Sequence, residues 1–187
     1  MDTSDFRKYG HDIVEWIARY FENVEQYPVK SGLLPGTIKG ALPDNPPSGG
    51  ESFDLFLRDF DEIIMPGITH WQSPNFFAYF PANSSPPSVL AEMLTAALGT
   101  QCMIWETSPA AAELEEKMMD WLKVMTGLPS EFEGVIQDSA SSATLAALIT
   151  ARERATQFVS NNEGLQDAGR LRIYASAQAH SSVEKGA

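Results

Sequence analysis

The sequence predicts an α/β protein in which a helical and extended N-terminal arm precedes the first part of a larger domain. Two observations carry this prediction. Apolar residues recur at helical spacing through the first half of the chain. In the last third, short strands predicted at 134–137 and 170–175 alternate with helices, which is typical of a parallel sheet with right-handed crossovers. We place the arm at residues 1–88 and the start of the larger domain at 89–187.

The composition excludes several classes of protein. The net charge of -12 argues against a nucleic-acid binder and against docking on an anionic membrane. The first residues lack the pattern of a signal peptide, and no stretch approaches the roughly 20 apolar residues of a membrane span. Cys102 is the single cysteine, more often a small buried hydrophobe than a nucleophile. We therefore expect a cytoplasmic protein without internal disulfides.

The first predicted helix covers residues 3–26, with Thr3 or Ser4 as its cap and Pro28 after its end. Its buried face is unusually aromatic. That face packs either on the rest of the chain, as ordinary core, or on a partner subunit. The residues that form it are Phe6, Ile13, Trp16, Ile17, Tyr20, Phe21 and Val24.

A connector rich in proline and glycine, residues 28–50, follows this helix and is predicted to be irregular and to run across a surface. Caps, stops and apolar spacing then indicate a series of helices. These cover residues 52–65, 86–98, 108–127 and 142–160, and another begins at Ser181.

Residues 70–88, HWQSPNFFAYFPANSSPPS, concentrate aromatic side chains without a helical or strand period. So much apolar surface is not typical of a loop exposed to water. The segment is either buried aromatic packing or the wall of a pocket for a flat ligand, and the pattern alone favours neither.

The stretch GVIQDSASSAT, residues 134–144, joins a predicted strand to a helix through small hydroxyl and methyl side chains. The start of a helix offers free backbone N–H groups and the positive end of its dipole, so residues 139–142 suit a phosphate. The alternative is a plain helix cap made by Asp138 or Ser139. Asp138 also counts against an anion site unless its carboxylate points away.

His180 follows the second predicted strand, at the same end of the sheet as the serine-rich turn. An imidazole there can stack on a ring or relay a proton. No second His, Cys or carboxylate stands at ligand spacing, so no metal site is predicted. On pattern alone, a structural histidine is an equal alternative.

Four motifs together resemble a known family: HWQSPNFFAYFPANSS, TSPAAAELEEKMMDWL, GVIQDSASSATLAAL and YASAQAHSS, in this order. The chain resembles the N-terminal part of the group II pyridoxal-phosphate decarboxylases, of the type that acts on aromatic L-amino acids such as tyrosine, DOPA, phenylalanine and tryptophan. The resemblance implies a fold-type I enzyme and a homodimer with active sites at the subunit interface. It also implies that the N-terminal arm wraps the partner subunit.

The resemblance also implies roles for individual residues. Ser139, Ala140 and Ser141 would bind the phosphate of pyridoxal 5'-phosphate, and His180 would stack on its ring as the catalytic histidine. Residues 101–105, QCMIW, would reach the partner's pocket, with Met103 among the substrate-binding residues. The pocket for the substrate side chain would be lined by Trp71, Tyr79, Phe80, Pro81 and Ala82.

Four positions depart from the family's usual residues and bear on substrate preference. Family members often have glycine at Asp138 and aspartate at Ala177. Phenylalanine is common at Met103, and threonine or serine at Ala82. We expect the lysine that binds the cofactor covalently, its aspartate partner and the catalytic loop to lie beyond residue 187, so Lys185 is not assigned that role.

Three functional alternatives stay open beside decarboxylation. An aromatic aldehyde synthase of the same family would share all four motifs. A non-catalytic fragment would act only as a dimerisation module, since this chain alone is expected not to decarboxylate. A glutamate or histidine decarboxylase is disfavoured by the aromatic richness of residues 70–80.

Overall fold

The computed structural model describes residues 1–166 and 168–187. The chain divides into two compact units, Met1–Ala97 and Leu98–Ala187. The first contains four helices and most of the aromatic residues, and the second carries the serine-rich turn and His180. The functional division of the chain at residue 88 stays a prediction.

Helix α1, Thr3–Asn23, begins at a capping box rather than at the predicted Thr3 or Ser4. The side chain of Asp2 accepts a hydrogen bond from the backbone N–H of Asp5 at 2.8 Å, and the Asp5 side chain bonds back to the Asp2 backbone. A carboxylate at this position also suits the positive end of the helix dipole, so the cap lies one residue earlier than predicted.

The aromatic face of α1 packs on the third helix of its own unit. Helix α3, Phe53–Asp59, continues as a π-helical turn, Phe60–Ile64, and a 3₁₀ turn, Met65–Gly67. The Trp16 ring meets Phe60 edge-on at 5.3 Å, and its N–H donates to Asp61 Oδ1 at 2.8 Å. This part of the stripe therefore packs on its own unit, although its rings are only half-buried, whereas Phe6 stays 63% exposed.

The connector between α1 and α3 contains a short helix that the sequence reasoning did not predict, α2, Thr37–Ala41. Gly36 precedes it at φ 90°, a conformation that favours glycine. The Ser31 hydroxyl donates to the Pro66 carbonyl at 2.8 Å and ties the connector to the end of α3.

Helix α4, Pro86–Leu98, matches its predicted bounds, and Ser85 accepts a hydrogen bond from the Ser88 amide at 3.3 Å. In the second unit, a 3₁₀ turn, Trp105–Thr107, leads into α5, Pro109–Thr126, which Gly127 ends at φ 68°. Three further helices follow: α6, Ala140–Ala155, α7, Ser160–Glu163, and α8, Ser181–Gly186.

Helix α8 packs closely on α6 because it ends in a glycine. A Cβ atom built on Gly186 would lie 2.8 Å from Cδ1 of Leu148, closer than real Cβ contacts allow. The two helices therefore meet at a point where no larger residue fits without a shift of the leucine.

The end of α6 is held by a polar cluster. Glu153 is buried, and its Oε1 accepts hydrogen bonds from the Ser160 hydroxyl and, at 2.7 Å, from Nη2 of Arg152. These two bonds hold the pKa of Glu153 below its ordinary value, and the bond from Ser160 has the larger effect. Gln157 and Phe158 follow at φ 57° and 65°, which is unusual for residues with a side chain.

The strands predicted at 134–137 and 170–175 do not form in the part of the chain that the structure describes. A strand needs a neighbour whose backbone groups complete its hydrogen bonds. Here the Ile136 amide instead donates to the Glu115 carboxylate at 2.7 Å. The predicted helix 142–160 likewise begins at Ala140 and ends at Ala155.

Among the described helices, none combines the length and the apolar character that crossing a lipid bilayer requires.

Candidate functional site

The aromatic segment, residues 70–84, begins at a buried histidine. His70 is 2% exposed, and its Nδ1 lies 2.9 Å from the Tyr20 hydroxyl of α1. Its ring stacks on Tyr27 at 4.8 Å, and its backbone N–H donates to Val29 at 2.9 Å. Burial lowers the pKa of His70, which favours the neutral form of the ring.

The predicted substrate-pocket residues follow directly. Trp71 stacks on Phe76 at 4.7 Å and on Tyr79 at 5.6 Å with 10° between the planes. Tyr79 has φ 57° and is 88% exposed, and Phe80 is 98% exposed. Pro81 is half-buried and Ala82 exposed. The start of the segment is therefore buried aromatic packing, whereas its later rings are exposed, and their role as the wall of a pocket stays a prediction.

The segment returns on itself through Gln72, a residue that the sequence reasoning did not single out. Its Nε2 donates to the Ala82 carbonyl at 3.3 Å, and its Oε1 accepts from the Ser84 amide at 3.1 Å. Bridges of this kind between distant residues have no sequence period, so no pattern indicated it.

The serine-rich turn forms the N-terminus of α6. Ser139 is the N-cap: its hydroxyl accepts from the Ser142 amide at 3.2 Å, and Ser142 completes a capping box. Asp138 accepts from the Ser142 hydroxyl, so its carboxylate is engaged in the same cap. The cap alternative is thus observed, although a cap leaves the other first-turn amides available.

Those amides belong to Ala140 and Ser141. Within the described residues, neither N–H donates a hydrogen bond, and the Ser141 hydroxyl makes none. Both residues are exposed and small, at the positive end of a 16-residue helix. This arrangement fits a phosphate monoester, although the nearby Asp138 carboxylate opposes an anion.

His180 is exposed and forms the N-cap of α8. Its Nδ1 accepts from the Ser182 amide at 3.2 Å and lies 3.0 Å from the Ser182 hydroxyl. A ring whose Nδ1 accepts carries its proton on Nε2 when it is neutral. His180 therefore has a structural role as a helix cap. That role uses only Nδ1, so the face of the ring and Nε2 take no part in the cap.

Met103 is 75% exposed, in the segment before the 3₁₀ turn, and Cys102 is an exposed free thiol rather than the expected buried one. The candidate residues fall into two sets, one in each compact unit. Across residues 1–166 and 168–187, no group of three or more His, Cys, Asp or Glu side chains is placed to hold a metal ion.

Comparison with known proteins identifies the family. The model of the pyridoxal-dependent decarboxylase conserved domain matches residues 35–187. The chain therefore belongs to the pyridoxal-dependent decarboxylase family.

Individual relatives agree with this assignment. Aromatic-L-amino-acid decarboxylase of Bos taurus is 45% identical over 197 residues, covering 99% of this chain and 40% of the relative. Phenylacetaldehyde synthase of Arabidopsis thaliana is 44% identical, covering 99% and 38%. Histidine decarboxylase of Drosophila melanogaster is 44% identical, covering 100% and 24%. The chain thus spans two fifths or less of the length of these relatives.

Solved structures give the same result. Tryptophan decarboxylase of Catharanthus roseus, in complex with L-tryptophan, aligns with a TM-score of 0.89 at 40% identity, covering 100% of this chain and 39% of that one. The 4-hydroxyphenylacetaldehyde synthase of Rhodiola rosea gives 0.88 at 40% identity, covering 100% and 40%. The predicted α/β, fold-type I class is therefore confirmed, although the described residues form no strand of their own.

Proposed function

We propose that this chain supplies part of an enzyme that decarboxylates an aromatic L-amino acid to its amine and carbon dioxide, with pyridoxal 5'-phosphate as cofactor. The observation that carries the proposal is the aromatic segment. Tyr79 and Phe80 are held almost fully exposed beside Trp71, an arrangement that costs free energy unless a ring covers them. Family membership supplies the reaction class.

The cofactor would lie against the second unit. The amides of Ala140 and Ser141, with Ser139, would bind its phosphate at the start of α6, and the exposed face of His180 would stack on its ring. Pyridoxal phosphate, when bound, withdraws electrons from the α-carbon of an amino acid so that the bond to the carboxylate can break. His180, through Nε2, is the residue that we assign to hold or move a proton beside the reacting atoms.

The substrate side chain would lie against Trp71, Tyr79, Phe80, Pro81 and Ala82, and residues 101–105, with Met103, would reach the pocket of the partner subunit. A planar ring placed there would gain stacking and exclude water from the α-carboxylate. Because a carboxylate is poorly solvated in an apolar pocket, this environment would favour its loss as neutral carbon dioxide.

We further propose a homodimer in the cytoplasm. Both units present large exposed apolar side chains, among them Leu34 at 78% and Met125 at 79%, as expected of surfaces that pack on other subunits or domains. The arm at residues 1–88 would pack on the partner, and residues 89–187 would begin the cofactor domain. The exposed free thiol of Cys102 suits a reducing compartment.

A second candidate is an aromatic aldehyde synthase, favoured by the Arabidopsis and Rhodiola relatives, which are as similar to this chain as the decarboxylases. The Drosophila histidine decarboxylase is as similar to this chain as the aromatic amino acid decarboxylases are. Overall sequence identity therefore does not tell whether the substrate carries an imidazole, a benzene or an indole ring. The aromatic segment supports the larger rings.

The test combines mass spectrometry and product analysis. Purified protein is reduced with borohydride in the presence of pyridoxal phosphate and analysed under denaturing conditions, which identifies any polypeptide with the cofactor bound to lysine. It is also incubated with L-tryptophan, L-tyrosine, L-DOPA, L-phenylalanine and L-histidine. When a polypeptide that carries the cofactor on lysine accompanies this chain, we expect carbon dioxide and the amine from at least one of the first four.

The variant Phe80→Ala should raise KM for that substrate, whereas Phe132→Ala, at an exposed phenylalanine of the second unit, should not. An aldehyde product would identify the synthase instead, and turnover of L-histidine alone would refute the aromatic specificity. An unmodified 187-residue chain without turnover would leave the non-catalytic fragment as the correct description.

A further inference from the structure

Gln72 joins the two ends of the aromatic segment. Its side-chain amide donates to the Ala82 carbonyl and accepts from the Ser84 amide, at 3.3 and 3.1 Å. Both halves of the side-chain amide are used, so only one orientation of the group satisfies both partners. Gln72 is half-buried.

The start of the segment is anchored without help from Gln72. His70 is buried against α1, and Ser73 is 5% exposed, with its amide donating to the His70 carbonyl at 3.0 Å. Most of the side chains that follow are exposed, with Phe76 and Pro81 half-buried, so the stack on Trp71 supplies only part of what holds them. Among the described residues, the only side-chain hydrogen bonds that join residues 70–73 to residues 82–84 are the two from Gln72.

A loop of this length samples many shapes unless its ends are joined, because each free residue keeps its conformational entropy. Tyr79 and Phe80 lie between the ends that Gln72 joins. If the bridge is lost, Tyr79 can leave its stack on Trp71, and its positive φ is no longer imposed.

We propose that Gln72 is a positioning residue that holds the rings of the aromatic segment in the arrangement that receives a planar aromatic side chain. The proposal rests on the proposed function and deepens it, because it names a residue that sets the affinity of the pocket without touching the substrate. The effect is on binding of the ring, and the groups assigned to the α-carbon chemistry lie elsewhere in the chain.

Two substitutions separate the two bonds. Gln72→Met keeps the length of the side chain and removes both bonds, whereas Gln72→Glu keeps the acceptor for Ser84 and loses the donor to Ala82. The control is Gln26→Met, at an exposed glutamine of the same unit whose amide makes only a local bond to Asn23 at 2.8 Å.

The first readout is hydrogen exchange of the full chain, followed through residues 73–84. We expect the Ser84 amide to exchange roughly two- to tenfold faster in Gln72→Met, and to keep its protection in Gln72→Glu and Gln26→Met. Unchanged exchange in Gln72→Met would overturn the proposal, because the bridge would then not hold the segment.

The second readout is the split between KM and kcat in the catalytically competent protein. Gln72→Met should raise KM for the aromatic amino acid roughly two- to tenfold with little change in kcat. Faster exchange with an unchanged KM, or a fall in kcat alone, would overturn the positioning role. If the unsubstituted protein turns over no aromatic amino acid, the proposed function fails, and the exchange of Ser84 then decides separately whether Gln72 closes the segment.

Discussion

Removing one hydroxyl, in Tyr20→Phe, should destabilise the first unit measurably. The hydroxyl lies 2.9 Å from Nδ1 of His70, which is 2% exposed, so little of the ring is in contact with water that could replace the lost hydrogen bond. Leaving a buried polar atom without its partner costs about 1–3 kcal/mol, more than the net value of an average hydrogen bond. We expect the unfolding free energy to fall by that amount.

The assay is urea unfolding followed by tryptophan fluorescence, since the Trp16 ring stacks on Tyr20 at 5.7 Å and reports on the same packing. The matched control is Tyr27→Phe. Tyr27 also stacks on His70, at 4.8 Å, but within the described residues its hydroxyl makes no hydrogen bond. Equal stabilities of the two variants would refute the argument that the Tyr20 bond matters.

The same site predicts a pH dependence. Burial lowers the pKa of His70 in the folded state, so below the ordinary value of 6.5 the unfolded chain binds a proton that the folded chain does not. Stability should therefore fall as the pH falls from 7 towards the folded pKa, by at most about 1.4 kcal/mol per pH unit. The slope should disappear in His70→Asn and persist in His11→Asn. If stability still falls with pH in His70→Asn, another titratable group causes the pH dependence.

Three further predictions concern the second unit. Ser141→Asp should abolish retention of pyridoxal phosphate measured by dialysis, because a carboxylate would occupy the place of the phosphate, while Ala110→Asp at the matching position of α5 should not. Gln157→Gly should raise the unfolding free energy by up to about 1 kcal/mol, because the strain relieved at φ 57° exceeds the conformational entropy that glycine adds to the unfolded chain, and a lower melting temperature would contradict this. Ser160→Ala should raise the pKa of Glu153. The ionised carboxylate would then stabilise the fold less, and its contribution would be lost at a higher pH during acid unfolding. An unchanged midpoint of acid unfolding would show that Ser160 does not cause the lowered pKa.

The helices could be predicted from the sequence because their signals are local. Apolar spacing and the prolines that start α4 identify its bounds, and Gly127 marks the end of α5. The cap of α1 was misplaced because several residues near Asp2 are good caps, and only the paired bond with Asp5 distinguishes them.

The strands could not be settled in the same way. Residues 134–137 have strand-like composition, but strand formation depends on a neighbouring strand, and local composition carries no information on whether one is present. The candidate site shows the same limit. Residue types in the turn indicated an anion site near Ser141, yet the bridge from Gln72 to Ser84 depends on the path of the intervening chain.

The glycine that ends α8 has a consequence at the opposite end of that helix. His180 begins α8, Ser139 caps the start of α6, and the two helices touch where Gly186 meets Leu148. One methyl group added at Gly186 would force the Leu148 side chain to move, and so would change the packing between the helix that His180 begins and the helix that Ser139 caps. The packing of the two helices that carry the proposed cofactor contacts thus depends in part on a residue that has no side chain and touches neither contact.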